Sequence, residues 1–238
     1  MPHDSVLWAP HVIAANGQYY MFYCSGGPGI FGVNEDGTKY GISLATSPDL
    51  SNWTPQGQLF RDGYQARDPM VMWNPFLGLW IMYYCATEQA TGGHHVVVCR
   101  TSSDLRTWSD DTRKIAYVDA HEGKEFGPTE SPFVVRRGDF YYLFIGPRPY
   151  DPPTSLRPNW RHQGYDGTDI FRSRHWDNWT DLDYIVHVQA HAAEVVRDVN
   201  GDWYVSHAGM CRAGLYLIPL NWRDGLDNEE SSLEIPLI

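Results

Sequence analysis

Apolar and polar residues alternate along this chain in short runs, and the runs are separated by glycines, prolines and acidic turn residues. A period of two predicts strands, because successive side chains of a strand fall on opposite faces. Trp8-Ala9-Pro10-His11-Val12-Ile13 passes through Gly17 into Gln18-Tyr19-Tyr20-Met21-Phe22-Tyr23-Cys24, giving a strand, a glycine turn and an aromatic strand. The same grammar returns in Arg67-Asp68-Pro69-Met70-Val71-Met72 with Gly78-Leu79-Trp80-Ile81-Met82-Tyr83-Tyr84-Cys85, and in Glu130-Ser131-Pro132-Phe133-Val134-Val135 with Gly138-Asp139-Phe140-Tyr141-Tyr142. It returns once more in His191-Ala192-Ala193-Glu194-Val195-Val196 with Gly201-Asp202-Trp203-Tyr204-Val205. From Pro10 to Pro69, Pro132 and Ala193 the steps are 59, 63 and 61 residues.

A third strand is predicted inside the copies at Tyr40 to Ala45, Val96 to Arg100 and Thr168 to Arg172. It ends in Ser47-Pro48-Asp49-Leu50-Ser51-Asn52-Trp53, in Ser102-Ser103-Asp104-Leu105-Arg106-Thr107-Trp108, and more loosely in Ser173 to Trp179. A fourth short strand follows, as in Lys114-Ile115-Ala116-Tyr117-Val118, and in the last copy Ser232 to Ile238 would supply it. This repetition predicts an all-β propeller of four-stranded antiparallel blades, four in this chain, over 7–62, 66–120, 128–188 and 190–238 of one domain, 1–238. Two stacked sandwiches would not explain so constant an internal order.

Composition agrees: 10 Trp and 15 Tyr favour strands, and 22 Gly with 16 Pro supply turns. A formal net charge of −11 excludes a nucleic-acid partner, whose phosphates call for Lys and Arg, but is compatible with a neutral ligand. No apolar run is long enough to cross a membrane, and Met1-Pro2-His3-Asp4-Ser5 has neither region of a signal peptide, so cellular location stays open. Cys24, Cys85, Cys99 and Cys211 lack metal-ligand spacing and are expected as free thiols, Cys24 and Cys85 at equivalent points of two copies. His94-His95 sits in a glycine-rich turn without a third ligand nearby, so no metal site is assigned.

In a propeller the innermost strands start around a central pocket, so matching positions face one another. Two places before the proline these are Trp8, Arg67, Glu130 and His191; one place before it they are Ala9, Asp68, Ser131 and Ala192. A polar ring with one flat apolar wall suits a sugar, and Tyr165 could reach it from the rim, while Asp166 and Asp169 read as turn residues. Each position also has a plainer reading: Arg67 and Asp68 as a structural ion pair, Glu130 as a solvated loop residue, His191 as a core histidine bonded to a carbonyl. Trp53, Trp108 and Trp179 recur at an outer position and read as structural.

The Trp8-Ala9-Pro10 start, the Arg67-Asp68-Pro69 triplet, Glu130-Ser131-Pro132, the Ser-x-Asp-Leu-x-x-Trp echoes and His191-Ala192-Ala193-Glu194 together resemble the five-bladed propeller glycosidases of glycoside hydrolase families 43 and 32, over about residues 5 to 222. These are arabinanases, xylosidases and β-fructosidases. The resemblance implies hydrolysis of glycosidic bonds between neutral sugars, with Glu130 as general acid and Asp68 tuning that acid and steadying the transition state. An anion beside a buried carboxyl favours the protonated form that can donate. Arg67 and His191 would then bond hydroxyls and Trp8 would stack on a sugar face, with no organic cofactor required and room for calcium in the central channel.

The family's third carboxylate, an Asp on the first blade, falls by repeat counting before Met1, and Asp4 is the only acidic residue near the start. The chain then reads either as a fragment lacking its first blade or as a four-bladed relative with other chemistry. Inversion and retention are not distinguished without that residue. Two alternatives stand beside hydrolysis: a sugar-binding propeller without turnover, and a mannoside-type phosphorylase, for which Arg148, Arg161 and His162 would hold phosphate.

Overall fold

A computed structural model describes residues 6–26, 40–63, 65–89, 92–118, 129–146, 167–208 and 214–222. Strands form where the alternation predicts them. The first sheet holds β1 (Val6–Ala15), β2 (Gln18–Gly26), β3 (Tyr40–Ser47) and β4 (Thr54–Arg61); the second holds β5 (Ala66–Asn74), β6 (Leu79–Gln89), β7 (Gly92–Ser102) and β8 (Lys114–Val118). The third holds β9 (Glu130–Arg137), β10 (Phe140–Gly146), β11 (Thr168–Ser173) and β12 (Tyr184–Val188). Consecutive strands are neighbours in every sheet. The fourth sheet has three strands among the described residues, β13 (Val195–Arg197), β14 (Trp203–Ala208) and β15 (Leu215–Pro219), and the expected strand at 232–238 lies outside them.

The chain divides into two compact units, Met1–Pro132 and Phe133–Ile238. In the first, Phe22, Cys24, Ile42 and Leu44 of one sheet share a core with Met82, Tyr84, Val96, Val98 and Trp108 of the next. Each large apolar side chain so buried stabilises the fold by about 1.5–3 kcal/mol. Strand β3 is buried along its whole length, whereas outermost β4, with Pro55 and Gly57, is largely exposed. Proline, lacking an N–H, is tolerated on such an edge.

Two polar contacts join the sheets of this unit. The Nε2–H of His11 on β1 donates to the Val71 carbonyl of β5 at 3.1 Å, and burial holds this imidazole down to about 4. Beyond β4, the buried Asp62 carboxylate accepts from the Tyr84 hydroxyl and from Arg113 Nε at 2.8 and 3.0 Å, with Arg100 Nη2 at 3.4 Å. Arg100, itself buried, also donates to Tyr84 at 2.7 Å, pairs with Asp110 and lies over the Phe60 ring. A charge this deep is tolerated because its donors are used.

The Ser-x-Asp-Leu-x-x-Trp echo is a turn built on its aspartate. Asp49 accepts the backbone N–H groups of Ser51 and Asn52 at 2.9 and 2.8 Å, and Asp104 those of Arg106 and Thr107 at 2.8 and 2.7 Å. These bonds, led by that of Asn52, hold Asp49 well below the usual carboxylate range; burial opposes them at Asp104, which still stands at about 2. Leu50 and Leu105 take left-handed φ values of 64° and 63°, and the Trp53 and Trp108 indoles donate back to their carbonyls. Trp179 is buried and donates to Tyr141, so the three tryptophans are structural, as expected.

In the second unit, Leu143, Phe144 and Phe171 are fully buried, and the Arg137 guanidinium lies over Trp222 and Trp203 at 4.6 and 5.5 Å. Asp169 is not a turn residue. It lies buried on β11 opposite His187 of β12, whose Nδ1–H it accepts at 2.9 Å; a cross-strand partner makes an interior position tolerable. Cys24, Cys85 and Cys99 are buried free thiols, and Cys211 lies outside the described residues.

Two predictions follow from the contacts between sheets. In the unfolded chain His11 gains its proton near 6.5, so between there and about 4 the unfolded state holds the extra proton. The contribution is intact above about 6.5 and is lost as pH falls towards 4. A His11→Gln variant, which keeps the bond to Val71, should show a flatter fall of unfolding free energy over that range, by up to about 1.4 kcal/mol per pH unit, measured by urea titration at each pH. Asp62→Ala leaves Arg100 and Arg113 without their shared carboxylate and should cost about 3–5 kcal/mol, read from the same denaturation curves at neutral pH.

Candidate active site

The four inner strands begin on one backbone device. Ala9, Asp68, Ser131 and Ala192 have φ values of 49°, 57°, 54° and 49°, in the left-handed region that residues with a Cβ seldom occupy. The first three stand directly before Pro10, Pro69 and Pro132, where the proline ring further restricts the preceding residue. At the first two, strand register breaks between Trp8 and His11 and between Arg67 and Met70, which marks a bulge. Each such conformation costs about 1–3 kcal/mol, so it persists only where surrounding contacts fix it. These positions match the alignment of the sequence copies residue for residue.

Within the first unit the bulges bring Asp68 and Glu130 together. Ser131 N–H donates to Asp68 Oδ2 at 3.0 Å, tying the start of β9 to the start of β5. The Arg67 guanidinium lies against both carboxylates, with Nε 3.4 Å from Asp68 and Nη2 3.9 Å from Glu130. Its Nη2 also donates to the Thr129 carbonyl at 2.8 Å. The three side chains are 10%, 13% and 16% exposed, so the charges interact through a medium less polarisable than water while solvent still reaches them.

Two thiols floor the cluster. Cys85, opposite Arg67 on β6, is raised well above the ordinary thiol value by burial; Arg67 opposes this, and Asp68 and Glu130 add to it. Cys24 donates to the Trp8 carbonyl at 3.3 Å and receives the Asp68 N–H; burial first, then the Asp68 charge, pushes it up to about 12. Both sulfurs therefore remain protonated, uncharged packing beneath the carboxylates.

Trp8 is 48% exposed and leans on buried Tyr40 at 5.3 Å between ring centres, which leaves much of the indole open to solvent. In the second unit His191 is half-buried, its N–H donating to His207 Nδ1 at 2.8 Å. Tyr165, Asp4, Arg148, Arg161 and His162 lie outside the described residues. Among the described residues there is no group of three or more His, Cys, Asp or Glu side chains arranged to hold a metal ion.

The sequence reading missed Gln65 and His95, both buried against Arg67. The signal lies in the third strands. Tyr40 pairs with Gly26, nine places after Gly17, and His95 with Thr87, nine after Gly78. Tyr40 supports Trp8, and His95 lies behind Arg67.

Known proteins resemble this chain in fold and in sequence. The extracellular exo-alpha-(1->5)-L-arabinofuranosidase ArbA of Cellvibrio japonicus is 24% identical over 157 residues, 59% of this chain. The aligned stretch is 42% of that relative, so the chain spans about two-fifths of its length. The crystal structure of endo-arabinase from Bacteroides thetaiotaomicron superposes on 94% of this chain and 78% of its own, at 18% identity and a TM-score of 0.66. Cellvibrio cellulosa alpha-L-arabinanase complexed with arabinohexaose superposes on 94% and 76%, at 17% identity and a TM-score of 0.62. Likeness at this identity shows the fold, an all-β propeller with four blades here. The family model of glycosyl hydrolases family 43 matches residues 1–154, nearly two-thirds of the sequence and every residue of the Trp8, Arg67, Asp68 and Glu130 cluster; the chain belongs to that family.

Proposed function

We propose that this chain hydrolyses glycosidic bonds in arabinose-containing oligo- or polysaccharides, with Glu130 as the acid that protonates the leaving oxygen and Asp68 as the carboxylate that steadies the oxocarbenium-like transition state. The observation carrying this reading is one guanidinium in reach of both carboxylates, Nε 3.4 Å from Asp68 and Nη2 3.9 Å from Glu130. Residues 62 positions apart are thereby confined within the span of one sugar. The carboxylate nearer to Arg67, that of Asp68, is the one assigned to lie beside the place where positive charge develops on the sugar ring. Glu130, at the longer distance, is the group placed to hold a proton and give it up. Trp8 offers the apolar face on which the hydrophobic side of a pyranose or furanose ring stacks. Arabinose is chosen over xylose or fructose because both solved relatives described above and the curated one act on arabinose polymers or arabinosides.

Glu130→Gln removes the proton and keeps the shape. It should lower kcat on an aryl arabinofuranoside or on arabino-oligosaccharides by about 10²–10⁴-fold, with KM changed little; undiminished turnover would rule Glu130 out as the acid. Asp68→Asn still offers an oxygen to the Ser131 N–H, so it isolates the charge and should lower kcat by at least about 10²-fold with the melting temperature nearly unchanged. Tight binding of arabino-oligosaccharides by the unaltered chain, without turnover, would replace hydrolysis by a binding function.

A further inference from the structure

We infer that His95, held by Gln65, is a positioning residue for the acid–carboxylate pair, fixing the plane of Arg67 and so the unequal distances from its guanidinium to Asp68 and Glu130. This inference rests on the roles proposed above for those two carboxylates.

An arginine has five N–H donors and no acceptor. Its neighbours must therefore each turn an electron pair towards it. Thr129 supplies a carbonyl at 2.8 Å and Asp68 a carboxylate oxygen at 3.4 Å. The third side is His95, whose Nδ1 stands 3.5 Å from both Nη1 and Nη2 in a forked contact. Only the neutral ring with its proton on Nε2 presents a lone pair there. That proton needs an acceptor, and the Gln65 amide lies with its nitrogen 2.5 Å from Nε2, so exchanging its oxygen and nitrogen supplies one. An amide turns its oxygen to a donor by a half-rotation, so the direction of every bond is set: Arg67 donates to His95, and His95 donates to Gln65. Gln65, His95 and Arg67 are all buried, which prevents water from replacing any of them.

An uncharged acceptor is what this place requires. A third carboxylate behind Arg67 would compete with Asp68 and Glu130 for its charge; an apolar side chain would remove the acceptor that faces both Nη1 and Nη2. Without the imidazole the guanidinium is free to swing the short way to Glu130 and hold it as an anion, the form that cannot protonate a leaving group.

The test compares His95→Asn, which keeps an acceptor near the Nδ1 position, with His95→Leu, which has none. The His95→Leu variant should lose about 10²-fold in kcat on an aryl arabinofuranoside with KM within about threefold, and His95→Asn should recover most of it. In parallel, ¹⁵N NMR of the Arg67 guanidinium, assigned with Arg67→Lys, should show a protected Nε–H signal in the unaltered chain and in His95→Asn, lost in His95→Leu. Equal activity of both variants and the unaltered chain, or a guanidinium signal indifferent to the substitution, would overturn the inference. Should the unaltered chain hydrolyse nothing, the reaction proposed above fails, and the NMR comparison still decides whether His95 positions Arg67.

Discussion

A buried guanidinium imposes a one-directional demand on its surroundings, since it can donate five hydrogen bonds and accept none. Around Arg67 that demand is met in part by the Thr129 carbonyl just ahead of β9, a carboxylate on its own strand and an imidazole two strands further out, with Glu130 at longer range. Three separate stretches of sequence meet at this one guanidinium. The cost of desolvating the cation is offset only when every partner is in place. Strand pairing and core packing bring these stretches close; the arginine specifies how they meet.

The backbone contributes the complementary constraint. Asp68 and Ser131 sit in a conformation that opposes their own local preference, and the Ser131 N–H bond to Asp68 is one of the contacts that hold them there. Local strain and a polar contact between strands thus stabilise one another at the place where chemistry is proposed, and Ala9 and Ala192 share the same left-handed backbone. The core beneath is ordinary by comparison. Phe22, Ile42, Met82 and Val98 pack as apolar residues do, and the two thiols under the cluster remain protonated because burial, with the carboxylates above adding to it, opposes their ionisation.

Much of this was legible from residue order. The repeat of strand, glycine turn and aromatic strand located the inner strands, and alignment on the prolines identified Asp68 and Glu130 as neighbours before any coordinates placed them against Arg67. Two things were not legible. Asp169 follows a glycine and a threonine, which signals a turn, yet its partner His187 lies 18 residues away and only strand pairing puts them opposite. His95 was set aside because it was weighed as a metal ligand, a role needing several donors, whereas its place behind Arg67 depends on register across β6 and β7. Local patterns report which face a residue occupies; they do not report what the neighbouring strand brings to that face.

The recurring bulge has a bearing on how such a molecule can change. Four sockets share one main-chain shape, yet tryptophan, arginine with aspartate, glutamate and histidine fill them. The scaffold therefore repeats a geometry without repeating a chemistry. A descendant could change what these strand entries present by rewriting a few side chains rather than by refolding.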